Sequence, residues 1–363
     1  MNEYPTGTAA DDDDEVDAPG WSAIDASLAS LYGDQAAPHM GTVLGYRLGG
    51  PGPLDGISAY YREHPVPHWH YVTYGFSELY DKEQEDDTLS GYGFELTFRL
   101  RALPGATEAP VWVFSLLQNL ARYVFKTGNA FRPGETMPAN GPIALDTDTR
   151  IWSMAMTSDP ELPALETPNG HLEFVQVVGL TVEEASAATQ WSAQQLLDTL
   201  LPHMPLWITD LDRGSLLDDP GVAAQVKAGI EGDGSSTGFL YTDVLGVEQH
   251  KRMLRAPLVD VTLGARQVDE LRSLLPLRIP FGRPFMLAGG GLLLLIEPGD
   301  ACAATVDGDS VTITMTPACA QDFAGTVRAQ AGRYQLAQLP TVSWIVQQTA
   351  IRDADGNVVS TVG

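Results

Sequence analysis

Cysteine is nearly absent. Cys302 and Cys319 are the only two in 363 residues, too few for a disulfide scaffold and without the C-x-x-C spacing of a zinc or redox site. Both are expected to be reduced core residues. Basic side chains are scarce as well: 21 Lys and Arg stand against 47 Asp and Glu, for a formal net charge of −26. A field of that sign repels phosphate backbones and anionic membranes, so nucleic-acid and membrane partners are not expected, while a basic protein would be attracted. Plain solubility is the simpler meaning of the same charge. Long apolar runs are missing too. "GLLLLIEPG", Gly291 to Gly299, is far too short to span a bilayer and reads as a buried strand. The first residues, "MNEYPTGTAADDDDEVDAPG", have neither the basic start nor the apolar stretch of a signal peptide, so a disordered acidic tail and a cytoplasmic location are expected. There is no internal repeat. Arginine outnumbers lysine and Ala, Gly and Pro are abundant, which suggests a GC-rich bacterial genome.

What is present is a mixture of helical and strand periodicities. Trp21, Ile24, Leu28 and Leu31 recur at helical spacing before Gly33. Strand signals follow at Thr42–Leu48, Ile57–Arg62, His68–Phe76 and Tyr92–Arg101, the clearest being "GFELTFRL", where Glu95, Thr97 and Arg99 alternate with apolar residues. This alternation predicts an antiparallel sheet with one solvated side. Val113, Leu117, Leu120 and Val124 make one stripe of an amphipathic helix over Val111–Lys126, expected to lie on that sheet, with Gly128 as its cap. Strands are predicted at Ile151–Met156, Leu172–Leu180 and Leu206–Asp210, and Thr181 with Glu184 forms a capping box opening a helix to about Leu201. Beyond "EGDGSSTG" further strands are expected at Leu258–Leu263, Leu277–Ile279 and Gly291–Ile296, then a helix at Pro317–Gln330 and two strand-like runs around an Asp-Gly turn. A chain of this length exceeds one core. The expected fold is α+β with two domains, each a mixed or mostly antiparallel sheet packed with helices. The divisions are a tail at 1–20, an N-terminal domain at 21–230, a linker at 231–256, a C-terminal domain at 257–335 and a hairpin extension at 336–363.

Candidate chemistry is thin. His64, His68 and His70 are three of seven histidines, and on a strand His68 and His70 share a face. Zinc needs a third and usually a fourth protein ligand, and neither H-E-x-x-H nor C-x-x-C occurs. No metal or cofactor is therefore expected, although a metal-dependent or hydrolytic enzyme centred on these histidines is the competing reading. "GSSTG" matches the nucleophile elbow with Ser236 in the nucleophile position, but it follows a predicted helix instead of a strand. The glycines of "LGGPGPLDG" and "AGGGLLLL" lack phosphate-loop spacing, and "DADGN" reads as a turn and not a calcium loop.

Seven stretches occur together and in order as they do in one family: "LGGPGPLDGISAYY", "PHWHYVTYGFSELYD", "GYGFELTFRL", "LARYVF", "VVGLTVEE", "QWSAQQLLDTL" and "LWITDLDRG". On these the chain resembles the Suppressor of fused family, over most of Trp21 to Gly238; beyond that only "LVDVTLG" and "GRPF" are similar. The resemblance implies a non-enzymatic protein of two domains that close on a short peptide and take it in as an added strand. The animal protein restrains Hedgehog signalling by binding Gli-type transcription factors, a partner that does not carry over to a bacterial chain. Stand-alone bacterial relatives imply an immunity or inhibitor protein against a toxin, or a regulatory scaffold of another kind. By the same resemblance Tyr123 matches the tyrosine that helps hold the peptide's histidine, and Glu135 falls where the animal family has Asp. Phe239 to Tyr241 would line the clamp and Leu258 would begin the matching strand of the second domain. The chain lacks the long insertion of the animal family and adds the terminal hairpin, which would lie where it could cover a sheet edge.

Overall fold

The computed structural model describes residues 17–41, 50, 52–80, 88–253, 255–352 and 358–363. The first 16 residues of the acidic tail, the strand expected at Thr42–Leu48 and the turn at Asp353–Asn357 lie outside the described residues. The fold is α+β, and the chain divides into two compact units: one of residues up to Pro133 with Thr157–Val177, the other of Gly134–Met156 with Val178–Gly363.

The first unit opens with α1 (Pro19–Tyr32), β1 (His39–Gly41), β2 (Gly56–Arg62), β3 (His68–Tyr74), β4 (Leu89–Arg101) and α2 (Trp112–Thr127). The chain then leaves for β5 (Thr136–Pro138) and most of β6 (Ile151–Ser158), and returns through β7 (Leu165–Thr167) into β8 (Gly170–Thr181). Strands β1 to β4 pair antiparallel in order and β8 adds parallel to β4. Register fixes what each face meets. Tyr71 lies opposite Phe98, and Trp69 opposite Leu100. This side packs on α2, with Phe114 edge-on to Tyr71 at 5.4 Å and Trp112 edge-on to Phe98 at 6.1 Å. The helix ends where expected, at Gly128 in the left-handed region (φ 75°).

The opposite face meets α1. Ile24 and Leu28 share a core with Val72, Tyr74, Leu172 and Phe174, and Tyr32 stacks on Tyr60 at 4.1 Å. Both faces are therefore covered, and the solvated side expected for "GFELTFRL" does not exist: Glu95, Thr97 and Arg99 are all fully buried. Alternation reports which side chains are polar. It does not report whether water reaches them, because a buried polar side chain with partners has the same period.

In the second unit α3 (Val182–Gln190), α4 (Ala193–Leu200) and α5 (Pro220–Asp233) surround a core of Val178, Leu180, Leu196, Leu197, Leu200 and Val226. Thr181 and Glu184 make the expected capping box. The single helix expected to run to Leu201 is broken, because Trp191 leaves helical geometry and ties its Nε1 to Asp233 Oδ2 at 2.9 Å, after which Ser192 caps α4. The strand expected at Leu206–Asp210 is also absent: Pro205–Trp207 is one tight turn, with Leu206 and Trp207 at φ 54° and 50° and Trp207 Nε1 donating to Leu197 O at 2.8 Å. Burial of one large indole decided that backbone, which strand periodicity does not encode.

The rest is built from β9 (Phe239–Tyr241), β10 (Leu245–Arg252), β11 (Arg255–Gly264), α6 (Ala265–Leu274), β12 (Phe285–Gly289), β13 (Leu292–Pro298), β14 (Ala303–Asp307), β15 (Ser310–Met315), α7 (Pro317–Thr326), β16 (Gly332–Leu336), β17 (Leu339–Gln347), β18 (Thr349–Arg352) and β19 (Val358–Val362). Two larger sheets result, ordered β10-β11-β17-β16 and β14-β15-β13-β12-β9. With α6 and α7 they bury one core that includes Val261, Leu287, Leu294, Ile313, Phe323 and Trp344. Phe323 meets Trp344 edge-on at 4.8 Å. The strand expected at Leu277–Ile279 is instead a pair of short 3-10 turns, Leu275–Leu277 and Ile279–Phe281, each with a proline that removes a ladder donor. Residues 336–363 contain an interior strand, β17, as well as the hairpin β18–β19, which pairs only with itself among the described residues.

Candidate peptide-binding surface

β9 is the outermost strand of its sheet, paired parallel to β12. In such a ladder alternate residues bond the same neighbour. Met286 N–H donates to Gly238 O at 2.8 Å and Thr242 N–H donates to Ala288 O at 2.9 Å, so the backbone groups of Phe239 and Tyr241 point away from β12. Among the described residues no strand pairs with that outer side. The flanking face is apolar. Phe239 lies opposite Met286, and Ala288 lies between Tyr241 and Leu293. Phe239 and Tyr241 are 52% and 68% exposed, Met286 37% and Leu293 44%, while Leu287 and Leu294 on the other face are fully buried. An open backbone edge beside exposed apolar side chains can accept an extended segment, with hydrogen bonds along the edge and contacts on the face.

β5 also ends its sheet, pairing with β6 alone among the described residues. Glu135 immediately precedes it, exposed, with its carbonyl accepting from Met156 N–H at 2.9 Å. Tyr123 belongs to the first unit. It is half-buried on α2, its ring stacks on Phe131 at 5.6 Å, and its hydroxyl accepts from Asn129 Nδ2 at 3.4 Å. Leu258 sits on β11, opposite His250, in the other sheet from Phe239 and Tyr241. The structure thus brings Phe239 and Tyr241 together on one edge and sets Leu258 apart from them. Met286 and Leu293 carried no sequence signal because "FMLA" and "LLLLI" are apolar at every position, so no alternation marks an outward side.

The histidines do different work. His64 is exposed, whereas His68 and His70 are completely buried on β3. His68 Nδ1 bonds Val66 O at 2.7 Å. His70 Nδ1 shares a hydrogen bond with the Tyr32 hydroxyl at 2.5 Å, and its Nε2 lies 3.2 Å from Asp159 Oδ2, close but poorly aligned for a hydrogen bond. Burial and the neighbouring Arg99 push the imidazole pKa down to about 4. Arg99 holds Asp159 with two bonds and reaches Gln176 and Glu161, which in turn pairs with Arg62 at 2.7 Å. Burial alone would raise the Asp159 pKa, but His70 and Arg99 outweigh it and hold the carboxyl well below its usual range. Glu95 has no such cation: burial lifts its pKa to about 7, against hydrogen bonds from Thr73, Gly75 and Ser77. Among the described residues no group of three His, Cys, Asp or Glu is arranged to hold a metal ion. "GSSTG" lies between α5 and β9, helix to strand, the reverse of the order a nucleophile elbow needs. No described helix is long and apolar enough to cross a membrane.

Comparison with known proteins places these features. Residues 50–214 match the family model of Suppressor of fused protein (SUFU). The span includes Tyr123 and Glu135 and stops short of β9. The chain is 39% identical over 234 residues to the Suppressor of fused homolog of Homo sapiens, and 39% over 235 residues to that of Mus musculus. In both cases this is 60% of the present chain and 48% of the relative, so the chain spans about half the length of the curated relatives it matches. Drosophila Suppressor of Fused superposes with a TM-score of 0.78 at 23% identity, over 92% of this chain and 99% of that one, a likeness of fold. A chain of the Sufu–Fu complex is 31% identical with a TM-score of 0.55, covering 58% of this chain and 98% of that one. On sequence identity and fold together, the chain belongs to the Suppressor of fused family.

Proposed function

We propose that this chain is a non-catalytic protein-binding module that takes an extended segment of a partner onto the free edge of β9. The observation that carries this reading is the outward backbone of Phe239 and Tyr241 beside an exposed face of Phe239, Tyr241, Met286 and Leu293. A solved relative is in complex with Fu, which supports a protein or peptide partner. Tyr123 and Glu135 are proposed to read one polar side chain of that segment, the carboxylate accepting its hydrogen bond and the phenol positioning it. The segment would be clamped between the two domains, with Leu258 on the second.

The charge of −26 selects the partner class. A basic protein, such as the nuclease domain of a toxin, would be captured faster by this field, and the module would then serve as its immunity or inhibitor protein. The test is affinity capture with the full chain from its native cell, followed by association measured against ionic strength. A basic partner whose association slows steeply with salt is expected. An acidic partner, or capture insensitive to salt, removes the inhibitor version, and a regulatory scaffold reading takes its place. Elemental analysis addresses the competing enzyme reading at His64, His68 and His70: stoichiometric metal in the purified protein would revive it.

A further inference from the structure

A cavity of about 470 Å³ opens in the second unit, where the start of α4, the end of α5 and the segment Arg278–Arg283 converge. Arg278 and Arg283 both line it, with Ser192, Ser236, Trp191 and Asp233. Arg278 is only 6% exposed, yet its guanidinium meets backbone carbonyls alone: Nε and Nη2 donate to Pro284 O at 2.9 and 2.5 Å, and Nη1 to Ser235 O at 2.8 Å. Arg283 Nη1 donates to the same Ser235 O at 3.0 Å. Each guanidinium carries five N–H donors, so capacity remains on both.

Neither arginine forms an ion pair among the described residues, whereas Arg62, Arg99, Arg213 and Arg333 each hold a carboxylate. The one acid in the lining, Asp233, has its Oδ2 occupied by Trp191 Nε1 at 2.9 Å and Gln195 Nε2 at 3.2 Å. Two cations against one anion is an unusual balance in a chain of −26. It is also a costly one, since burying like charges together with too few counter-ions opposes folding. The positive end of α4, capped by Ser192, and the negative end of α5, closed at Gly234, meet at the cavity and offset one another, so its positive sign rests on the two arginines. The seat is built tightly: a Cβ on Gly238 would come within 2.6 Å of Arg278 Nη2.

We propose that this cavity is an oxyanion site, taking a carboxylate or phosphate group between Arg278 and Arg283 with the Ser236 hydroxyl as a further donor. The assignment rests on these residues and not on strand docking at β9, although Gly234–Gly238 runs directly into that strand. Planar guanidinium forks match both kinds of oxygen pair, so the geometry leaves the two sources to experiment.

The test is calorimetric titration of the full chain with inorganic phosphate and, separately, with sodium acetate, at constant ionic strength set by sodium chloride. Saturable binding of phosphate or of acetate is expected, and which one binds identifies the group. Arg283→Gln, a half-buried side chain with one carbonyl bond, should weaken it at least about tenfold. Ser236→Asp, which places a carboxylate at the cavity, should do the same. Circular dichroism checks that both variants fold. Absence of saturable binding for either anion, or unchanged affinity in both folded variants, would overturn the proposal and leave the arginines as clamps on Ser235 and Pro284.

Discussion

Arg99 and Asp159 form a two-bond ion pair with both side chains entirely removed from water, Nη1 to Oδ2 at 2.6 Å and Nη2 to Oδ1 at 3.0 Å. The pair joins β4 to the segment that precedes β7, and Asp159 Oδ1 also accepts from the N–H groups of Glu161 and Leu162. Removing one partner strands a buried charge. Arg99→Met and Asp159→Asn are each expected to cost about 3–5 kcal/mol in urea unfolding. The double variant should cost clearly less than the sum, because the stranded charge is then gone. Additive losses would show that the two side chains act separately.

Two buried groups titrate in opposite senses within nearly the same pH range. His70 has its pKa near 4 against 6.5 when free, so between those values the unfolded chain binds the extra proton and stability falls as pH drops. Glu95 has its pKa near 7 against 4.5, so the folded state keeps a proton that the unfolded chain has lost and stability falls as pH rises. Each contribution amounts to about 3 kcal/mol across its window, and together they largely cancel. Denaturant midpoints from pH 4 to 7 should therefore separate the variants. His70→Gln exposes the falling slope of Glu95 and Glu95→Gln exposes the rising slope of His70. Parallel profiles for both variants and the parent would refute the assignment.

For Tyr123 and Glu135 the expected result concerns binding and not stability. Both sit at half-buried or exposed positions, where truncation costs within about 0.5–1 kcal/mol of folding. The double variant Tyr123→Phe, Glu135→Gln should bind a captured partner at least about tenfold more weakly, while its unfolding midpoint barely moves. Unchanged affinity would mean that the contact implied by family resemblance is not used here.

Much of the first unit was legible from sequence because its elements carry their own boundaries. Gly33 and Gly128 end helices and aromatic strands lie between turn residues, and in the second unit Thr181 with Glu184 begins a helix in the same way. What was not legible depends on partners distant in sequence. Arg99 is buried because Asp159, 60 positions away, neutralises it, and nothing local to "GFELTFRL" says so. The helix break at Trp191 needs Asp233, 42 positions on. At the candidate surface, Phe239 and Tyr241 were found by resemblance, whereas Met286 and Leu293 became visible only when register put them on the same face. The cavity at Arg278 and Arg283 had no signal as an anion site, since its residues come from three separated stretches and Ser236 stood out in "GSSTG" only as a nucleophile-elbow match.

Strand addition at the outer edge of β9 is tested most directly by Tyr241→Pro. Proline removes the outward N–H of Tyr241 and leaves the inward bonds of Gly238 and Thr242 to β12 in place, a change that an edge strand tolerates. With a partner captured by the parent chain, calorimetry on the variant should show binding weakened at least about tenfold at an unfolding midpoint close to the parent's. A folded Tyr241→Pro chain that binds the same partner with unchanged affinity would contradict strand addition at β9.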